Sequence, residues 1–236
     1  MYAVFGLKRI ITFITAVVVA VIIGLMLYKS PSDIVEFGKT AWRVASGVIT
    51  AFILLGSVPF VFRFFWKCYE TIFPSSYPDI SGTWTGTVTS NYSVHNAIRN
   101  AAISTAETLD PLDPSQITSI DLQTFDAKLT IKASLLKIDL IMEVAGLTDT
   151  SESFSIAASP QVAQNSEAHG LAYIYKSKHY NKAADDEATH TGAAEVQLRK
   201  NANGELEMKG IYWTARNWRR AGNTAGILTF VRKKTI

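Results

Sequence analysis

The sequence predicts a membrane protein: two N-terminal transmembrane helices followed by an all-β, antiparallel, eight-stranded compact barrel. Three observations carry that expectation. Two apolar runs without a charge, Ile10 to Tyr28 and Val44 to Phe62, lie near the N-terminus. From Pro78 onward apolar and polar residues alternate with a period of two, the pattern of strands with one dry face and one wet face. Between these regimes stands Pro78-Asp79-Ile80-Ser81-Gly82-Thr83-Trp84-Thr85-Gly86-Thr87-Val88-Thr89, where Trp84, Gly86 and Val88 share one face and four threonines the other. This is a half-buried first strand, with Trp84 placed to plug the end of an antiparallel sheet.

The first apolar run is about 19 residues long, enough to cross a hydrocarbon core at about 1.5 Å per residue, and Lys8, Arg9 and Lys29 flank it. It is longer than the apolar region of a signal peptide, and a second run follows at once, so cleavage is not expected. Arg43 and Arg63 bound the second run, and Pro59 near its end is expected to kink it without stopping it from spanning. Two spans put both termini on one side, and the Lys/Arg count narrowly favours the cytoplasm. Phe64, Phe65, Trp66, Tyr69 and Phe73, with Arg63 and Lys67, have the composition of an interfacial collar at lipid-headgroup depth. Ala16, Ala20 and Gly24 in the first helix, and Gly47 and Ala51 in the second, recur at a spacing that permits close helix contact, within the hairpin or between chains. Residues 1–77 therefore read as an anchor and 78–236 as a cytoplasmic ligand-binding barrel.

The barrel segment follows in order. Asn91 to Thr124, with its Ala-rich middle and the turn Asp110-Pro111-Leu112-Asp113-Pro114, reads as an insertion after the first strand. Leu129 and Ile131 mark a second strand, and Leu136, Ile138, Leu140, Met142 and Val144 a third. Ser151, Ser153 and Ser155 alternate in a fourth, Leu171, Tyr173 and Tyr175 share a face in a fifth, and Val196 and Leu198 define a sixth. Asn201-Ala202-Asn203-Gly204 is a hairpin turn leading to a seventh strand, which places Leu206, Met208, Tyr212 and Thr214 together, and Gly226 to Arg232 is the eighth. Closing such a sheet removes its exposed edges.

Charge and chemistry narrow the function classes. The overall +3 belongs to the anchor, because residues 78–236 carry 16 Lys and Arg against 17 Asp and Glu. A near-neutral domain lacks the broad cationic field of a DNA or RNA polymer binder, although it can still hold a few phosphates. Cys68 is the single cysteine, so no disulfide forms within the chain, and a reducing compartment suits it. His95, His169, His179 and His190 are scattered without metal-ligand spacing. Asp185, Asp186 and Glu187 read as a solvated turn. No nucleotide-hydrolase loop, nucleophile elbow or zinc-protease motif is present, so no enzyme chemistry, metal or cofactor is expected. The informative run is Gly210-Ile211-Tyr212-Trp213-Thr214-Ala215-Arg216-Asn217-Trp218-Arg219-Arg220, in which aromatics able to stack on bases alternate with guanidinium groups able to fork onto phosphate. Inward parity continued past the strand puts Tyr212, Thr214 and Arg216 at the barrel mouth, with Tyr173 and Tyr175 near if the fold joins those strands. Trp218, Arg219 and Arg220 suit the mouth and lipid headgroups equally.

The order of these features resembles a family: the two-transmembrane β-barrel cyclic-nucleotide receptors that serve as effectors of bacterial CBASS anti-phage defence, the CD-NTase-associated effectors. The paired helices resemble its anchor, and Ile80-Ser81-Gly82-Thr83-Trp84-Thr85-Gly86 its first-strand motif. Thr150 to Ser155 is similar to its serine-alternating strand, and Leu171 to Tyr175 to its tyrosine pair. Gly192, and Gly210 to Asn217 through Gly226, are similar to its closing strands. The Asn91 to Thr124 insertion departs from the shortest form of the pattern. The resemblance implies a lipocalin-like barrel that binds a cyclic di- or trinucleotide made by a partner nucleotidyltransferase. It implies further that binding drives homo-oligomerisation and that the spans then damage the inner membrane, halting growth of the infected cell. The rival readings are a membrane-tethered lipocalin-like carrier of an apolar ligand, for which a cation at the mouth is superfluous, and a structural module whose barrel is filled by side chains.

Overall fold

The computed structural model describes residues 2–28, 31, 33–73, 77–106, 109–145, 150–163, 168–180 and 187–233. Lys29, Asp185 and Asp186, named above, lie outside them. The chain divides into two units: Met1–Asp79 with Ala133–Ile138, and Ile80–Lys132 with Asp139–Ile236.

The helical unit contains α1 (Tyr2–Phe5), α2 (Leu7–Tyr28), α3 (Ile34–Ser57) and α4 (Pro59–Ile72). Lys8–Tyr28 and Ile34–Ser57 are long and apolar enough to cross a membrane. Asp33 caps α3 by accepting the Glu36 N–H at 2.7 Å. The proline does more than kink the second apolar run. A residue before proline is driven out of the α region, and Val58, at ψ 113°, separates α3 from α4. The break frees the carbonyl of Gly56, which accepts the Leu135 N–H at 2.8 Å. Part of the expected collar is core instead. Trp66 is buried between Phe5, Phe62 and Tyr69, and its indole N–H donates to the Tyr77 carbonyl, while Phe64, Phe65 and Phe73 are exposed. Arg63 pairs with the buried Asp79 at 2.9 Å. A Cβ added at Gly24 or Gly47 would meet nothing within 4 Å, so among the described residues neither glycine is pressed against a neighbouring helix.

The second unit is a closed barrel in the order β1-β2-β3-β4-β5-β6-β7-β8, with β8 returning to β1. The strands are β1 (Gly82–Ser90), β2 (Gln123–Ala133), β3 (Ile138–Ala145), β4 (Thr150–Gln161), β5 (His169–His179), β6 (Thr189–Lys200), β7 (Leu206–Thr214) and β8 (Ala225–Arg232). All eight expected strands are present. Leu136, assigned above to the third, lies in the turn before it and is exposed. The insertion forms α5 (Tyr92–Ile103) and α6 (Pro114–Thr118), the latter capped by Asp113.

Closure at eight strands needs tight coiling, and glycines permit it. A Cβ at Gly86 would strike the Thr229 carbonyl, one at Gly210 the Glu195 carbonyl, and one at Gly226 the Thr89 carbonyl, so β1, β7 and β8 approach their neighbours where no side chain fits. Trp84 is fully buried and donates to the Ile80 carbonyl at 3.0 Å, closing the barrel end where β1 begins. Around it Leu129, Leu171, Val196, Met208 and Phe230 fill the interior. Closure hides the edges but leaves an apolar outer row: Ile211 faces Ile227, and Ala193 lies between Ile174 and Trp213, with all four large side chains exposed.

Replacing Gly86 by Ala is expected to cost about 3 kcal/mol, because rigid backbone must move to admit the methyl group. Gly204→Asn, at a hairpin position with φ of 72°, is expected to be nearly neutral, because Asn tolerates that conformation. Thermal unfolding of the two variants in detergent, against wild type, measures the difference.

Candidate functional site

Polarity inside the barrel is graded along its axis. The end holding Trp84 is apolar, and the opposite end, where β1 finishes and β5 finishes, is lined by hydroxyls and imidazoles. Alternation on each strand does the sorting. On β5 the inward residues run Leu171, Tyr173, Tyr175, Ser177, His179, and on β6, in the reverse sense, Leu198, Val196, Ala194, Gly192, His190. Ser153 on β4 and Ser90 on β1 are buried at the same polar end. Small residues make room for the tyrosines in this half: a Cβ at Gly192 would run into the Tyr175 ring, and one at Gly226 would sit 2.8 Å from the Tyr212 ring.

Four of the five residues singled out from the sequence are buried on inward strand positions. Tyr173 and Tyr175 have ring centroids 6.0 Å apart, and Tyr212 shares electrostatic reach with Tyr175. The Tyr212 hydroxyl hydrogen-bonds to Ser90 and Thr224. Thr214 ends β7, its Oγ1 accepting the Thr224 N–H at 3.0 Å, so it also ties β7 to the segment before β8. Arg216 is different. The strand stops at Thr214, and Arg216 occupies the following turn, half-buried, so alternation no longer determines its direction. Beyond it Asn217 and Ala221 take left-handed backbone angles around a short 3-10 turn, Trp218–Arg220, whose three side chains are exposed at the polar end of the barrel.

Burial holds all three phenols neutral. The Tyr173 hydroxyl is raised well above its ordinary value by desolvation; Tyr175 is raised by desolvation and then by the fields of Tyr173 and Tyr212. Tyr212 is raised by desolvation, against the opposing hydrogen bonds from Ser90 and Thr224. Neutral phenols offer flat faces for stacking and O–H donors for an anionic or carbonyl oxygen. Among the described residues the Tyr173 hydroxyl is buried without a hydrogen-bond partner. A buried donor left unmatched is costly, and a bound polar ligand is one way to match it.

Sequence reasoning missed the two histidines. His179 ends β5 and His190 starts β6, and antiparallel pairing stacks their rings at 5.1 Å and 27°. Desolvation first, then the neighbouring His179, hold His190 down to about 4, with Glu187 opposing. Their separation in sequence concealed them; the available signal was inward parity, carried along both strands to their ends. Among the described residues no cluster of three or more His, Cys, Asp or Glu could hold a metal ion.

The family model described as Cap15, cyclic dinucleotide receptor domain, matches residues 115–232. The match spans β2 to β8 and leaves β1, which closes the barrel, outside it. The curated CD-NTase-associated protein 15 of Escherichia albertii is 25% identical over 194 residues, covering 81% of this chain and 81% of that protein. No solved structure matches the chain.

Tyr173→Phe is expected to stabilise the ligand-free protein by about 1 kcal/mol, because it deletes a buried hydroxyl that lacks a partner. Its melting temperature without ligand should rise, and its affinity for a polar ligand should fall. A lower melting temperature would show that the hydroxyl is satisfied in the empty barrel.

Proposed function

The chain belongs to the Cap15 cyclic dinucleotide receptor family, and from that premise we propose that it binds its messenger in the polar half of the barrel and passes the signal to its membrane anchor. It is an effector of the CBASS type that binds a cyclic oligonucleotide, a receptor by design of its site. The observation that carries the location is the three buried, neutral tyrosines on β5 and β7, with the Tyr173 hydroxyl left without a hydrogen-bond partner among the described residues. Tyr173, Tyr175 and Tyr212 supply stacking surfaces and donors, Thr214 a further hydroxyl, and Arg216 a guanidinium for one phosphate. Residues 78–236 form the cytoplasmic ligand-binding domain and residues 1–77 the inner-membrane anchor.

Ligand binding promotes assembly of copies of the chain, and assembly of the spans disrupts the inner membrane. Two features support this. Among the described residues nothing packs against Gly24 or Gly47, which leaves the small-residue faces for helices of another copy. The exposed row Ile174, Trp213, Ile211 and Ile227 offers apolar surface on the barrel itself. The apolar-carrier reading is disfavoured by the serines, tyrosines and histidines that line the polar half.

Calorimetric titration of the detergent-solubilised protein with cyclic di-AMP, cyclic di-GMP, cyclic GMP–AMP and a cyclic trinucleotide tests the receptor reading, with a fatty acid as the rival ligand. One of the nucleotides should bind. Arg216→Ala should weaken that binding on the order of ten- to a hundred-fold, the worth of a charge-assisted hydrogen bond. Arg216→Lys should restore it only in part. Arg219→Ala, exposed on the turn, should leave it unchanged. Binding of the fatty acid alone would install the carrier instead. For the anchor, Ala20→Leu with Gly24→Leu should preserve ligand affinity while reducing dye leakage from cells that also make the messenger. Unchanged leakage would return those residues to ordinary lipid-facing positions.

A further inference from the structure

A cyclic dinucleotide brings two phosphodiester charges into a barrel whose described strands present no permanent cation in their polar half, Arg216 lying beyond them in the turn after β7. On the described strands the only Lys or Arg at inward positions are Lys200 and Arg232, both at the apolar end, and no Asp or Glu points inward at all. In that wall the groups able to become positive are His179 and His190. Their rings are stacked, His190 is buried, and among the described residues its Nδ1 has no hydrogen-bond partner.

We propose that the stacked His179–His190 pair is a phosphate contact of the messenger inside the barrel, and that His190 becomes cationic only when the phosphodiester arrives, so that binding takes up a proton. This rests on the receptor reading above and adds to it the source of the charge. The buried His190 imidazole resists protonation, because burial penalises the charge and the neighbouring His179 opposes a second one. A phosphodiester oxygen beside Nδ1 reverses both effects: it supplies an acceptor for the new N–H and a counter-charge for the imidazolium. The other groups facing the pair come from each neighbouring element. Glu187 precedes β6 and favours protonation, although its Oε2 also accepts the Asn217 N–H. Tyr175 on β5 stands neutral against Gly192. Arg216 lies in the turn after β7, beyond the Gly192–Thr214 pair that ends the β6–β7 ladder. Lys176 and Lys178 occupy outward positions on β5.

The sign of the linkage follows. In the empty barrel His190 is deprotonated above about 4, and with the phosphodiester bound its proton is held to higher pH. Between those two values the complex carries one more proton than the free protein, so affinity rises as pH falls, by up to about tenfold per pH unit. A site built on arginine alone would be flat across this range.

The test uses the full chain in detergent and the cyclic dinucleotide that binds most tightly among cyclic di-AMP, cyclic di-GMP and cyclic GMP–AMP. Titration at about pH 5.5 and about pH 7.5, the two sides of an ordinary histidine, should show at least tenfold tighter binding at the lower value. Repeating it near pH 6.5 in two buffers of different ionisation enthalpy should show uptake of about one proton. His190→Asn, which keeps a polar atom near Nδ1, should bind with no pH dependence and no proton uptake, and His179→Gln should reduce both. Equal wild-type affinity at the two pH values with no proton uptake would overturn this inference and leave the receptor reading standing. Failure of every cyclic dinucleotide, and of the cyclic trinucleotide, to bind at either pH would overturn both. The wild-type proton count decides the matter even where a variant folds poorly.

Discussion

The bore of an eight-stranded barrel is so narrow that side chains of ordinary size fill it, and the rest of this structure follows from how that constraint is handled at each end. At the end where β1 begins it is obeyed. Trp84, Phe230, Met208 and Leu129 pack the interior, and the Trp84 indole spends its donor on the Ile80 carbonyl, so nothing polar is stranded. At the opposite end it is evaded, because Gly192, Gly226, Ala194 and the serines of β4 and β5 withhold volume while the tyrosines project across the space. A single barrel thereby combines an apolar floor, which supplies the burial that stabilises it, with a polar half built from tyrosines, serines and histidines. The proposed site lies in the half where polar groups, and not apolar packing, line the interior.

Much of the architecture was legible because period-two alternation is a strong signal over strands of this length. All eight strands, the hairpin at Asn201–Gly204 and the inward set Tyr173, Tyr175, Tyr212 and Thr214 follow from parity and turn chemistry alone. The departures have local physical causes. Val58 leaves the α region because a proline follows it, so the second apolar run becomes two helices. Trp66 is core because a helix buries one stripe, and composition does not reveal which stripe. Leu136 continues the alternation of β3 into a turn that alternation cannot see. Arg216 falls outside the strand for the same reason that its neighbour Thr214 ends it: the backbone there bonds to Thr224 and Thr191 and then turns through left-handed residues.

The histidine pair shows the complementary failure. Spacing along the chain finds metal and catalytic groups that lie on one element, yet His179 and His190 become neighbours only through a β5–β6 register, in which Ser177 pairs with His190. Residues that meet across strands carry no fixed interval, and a loop of any length between them hides the contact. Reading such a pair requires strand ends accurate to a residue, which is where sequence patterns are weakest.

A pocket lined by neutral donors differs in kind from one lined by fixed charge. An arginine-rich cavity attracts any anion at once, including inorganic phosphate and the abundant mononucleotides of a cell. In this barrel the described strand walls offer phenols, hydroxyls and imidazoles, and burial keeps His190 uncharged. At the proposed site a ligand would first engage by shape and stacking on Tyr173, Tyr175 and Tyr212, and only then would its phosphate find a partner that can be charged. The desolvation that keeps His190 neutral penalises small anions that cannot fill the rest of the site, because they leave the buried Tyr173 hydroxyl unmatched. For a receptor of one cyclic nucleotide among many cellular anions, selectivity matters as much as raw affinity, and a wall whose charge appears only with the ligand would supply it through the same groups that complete the proposed site.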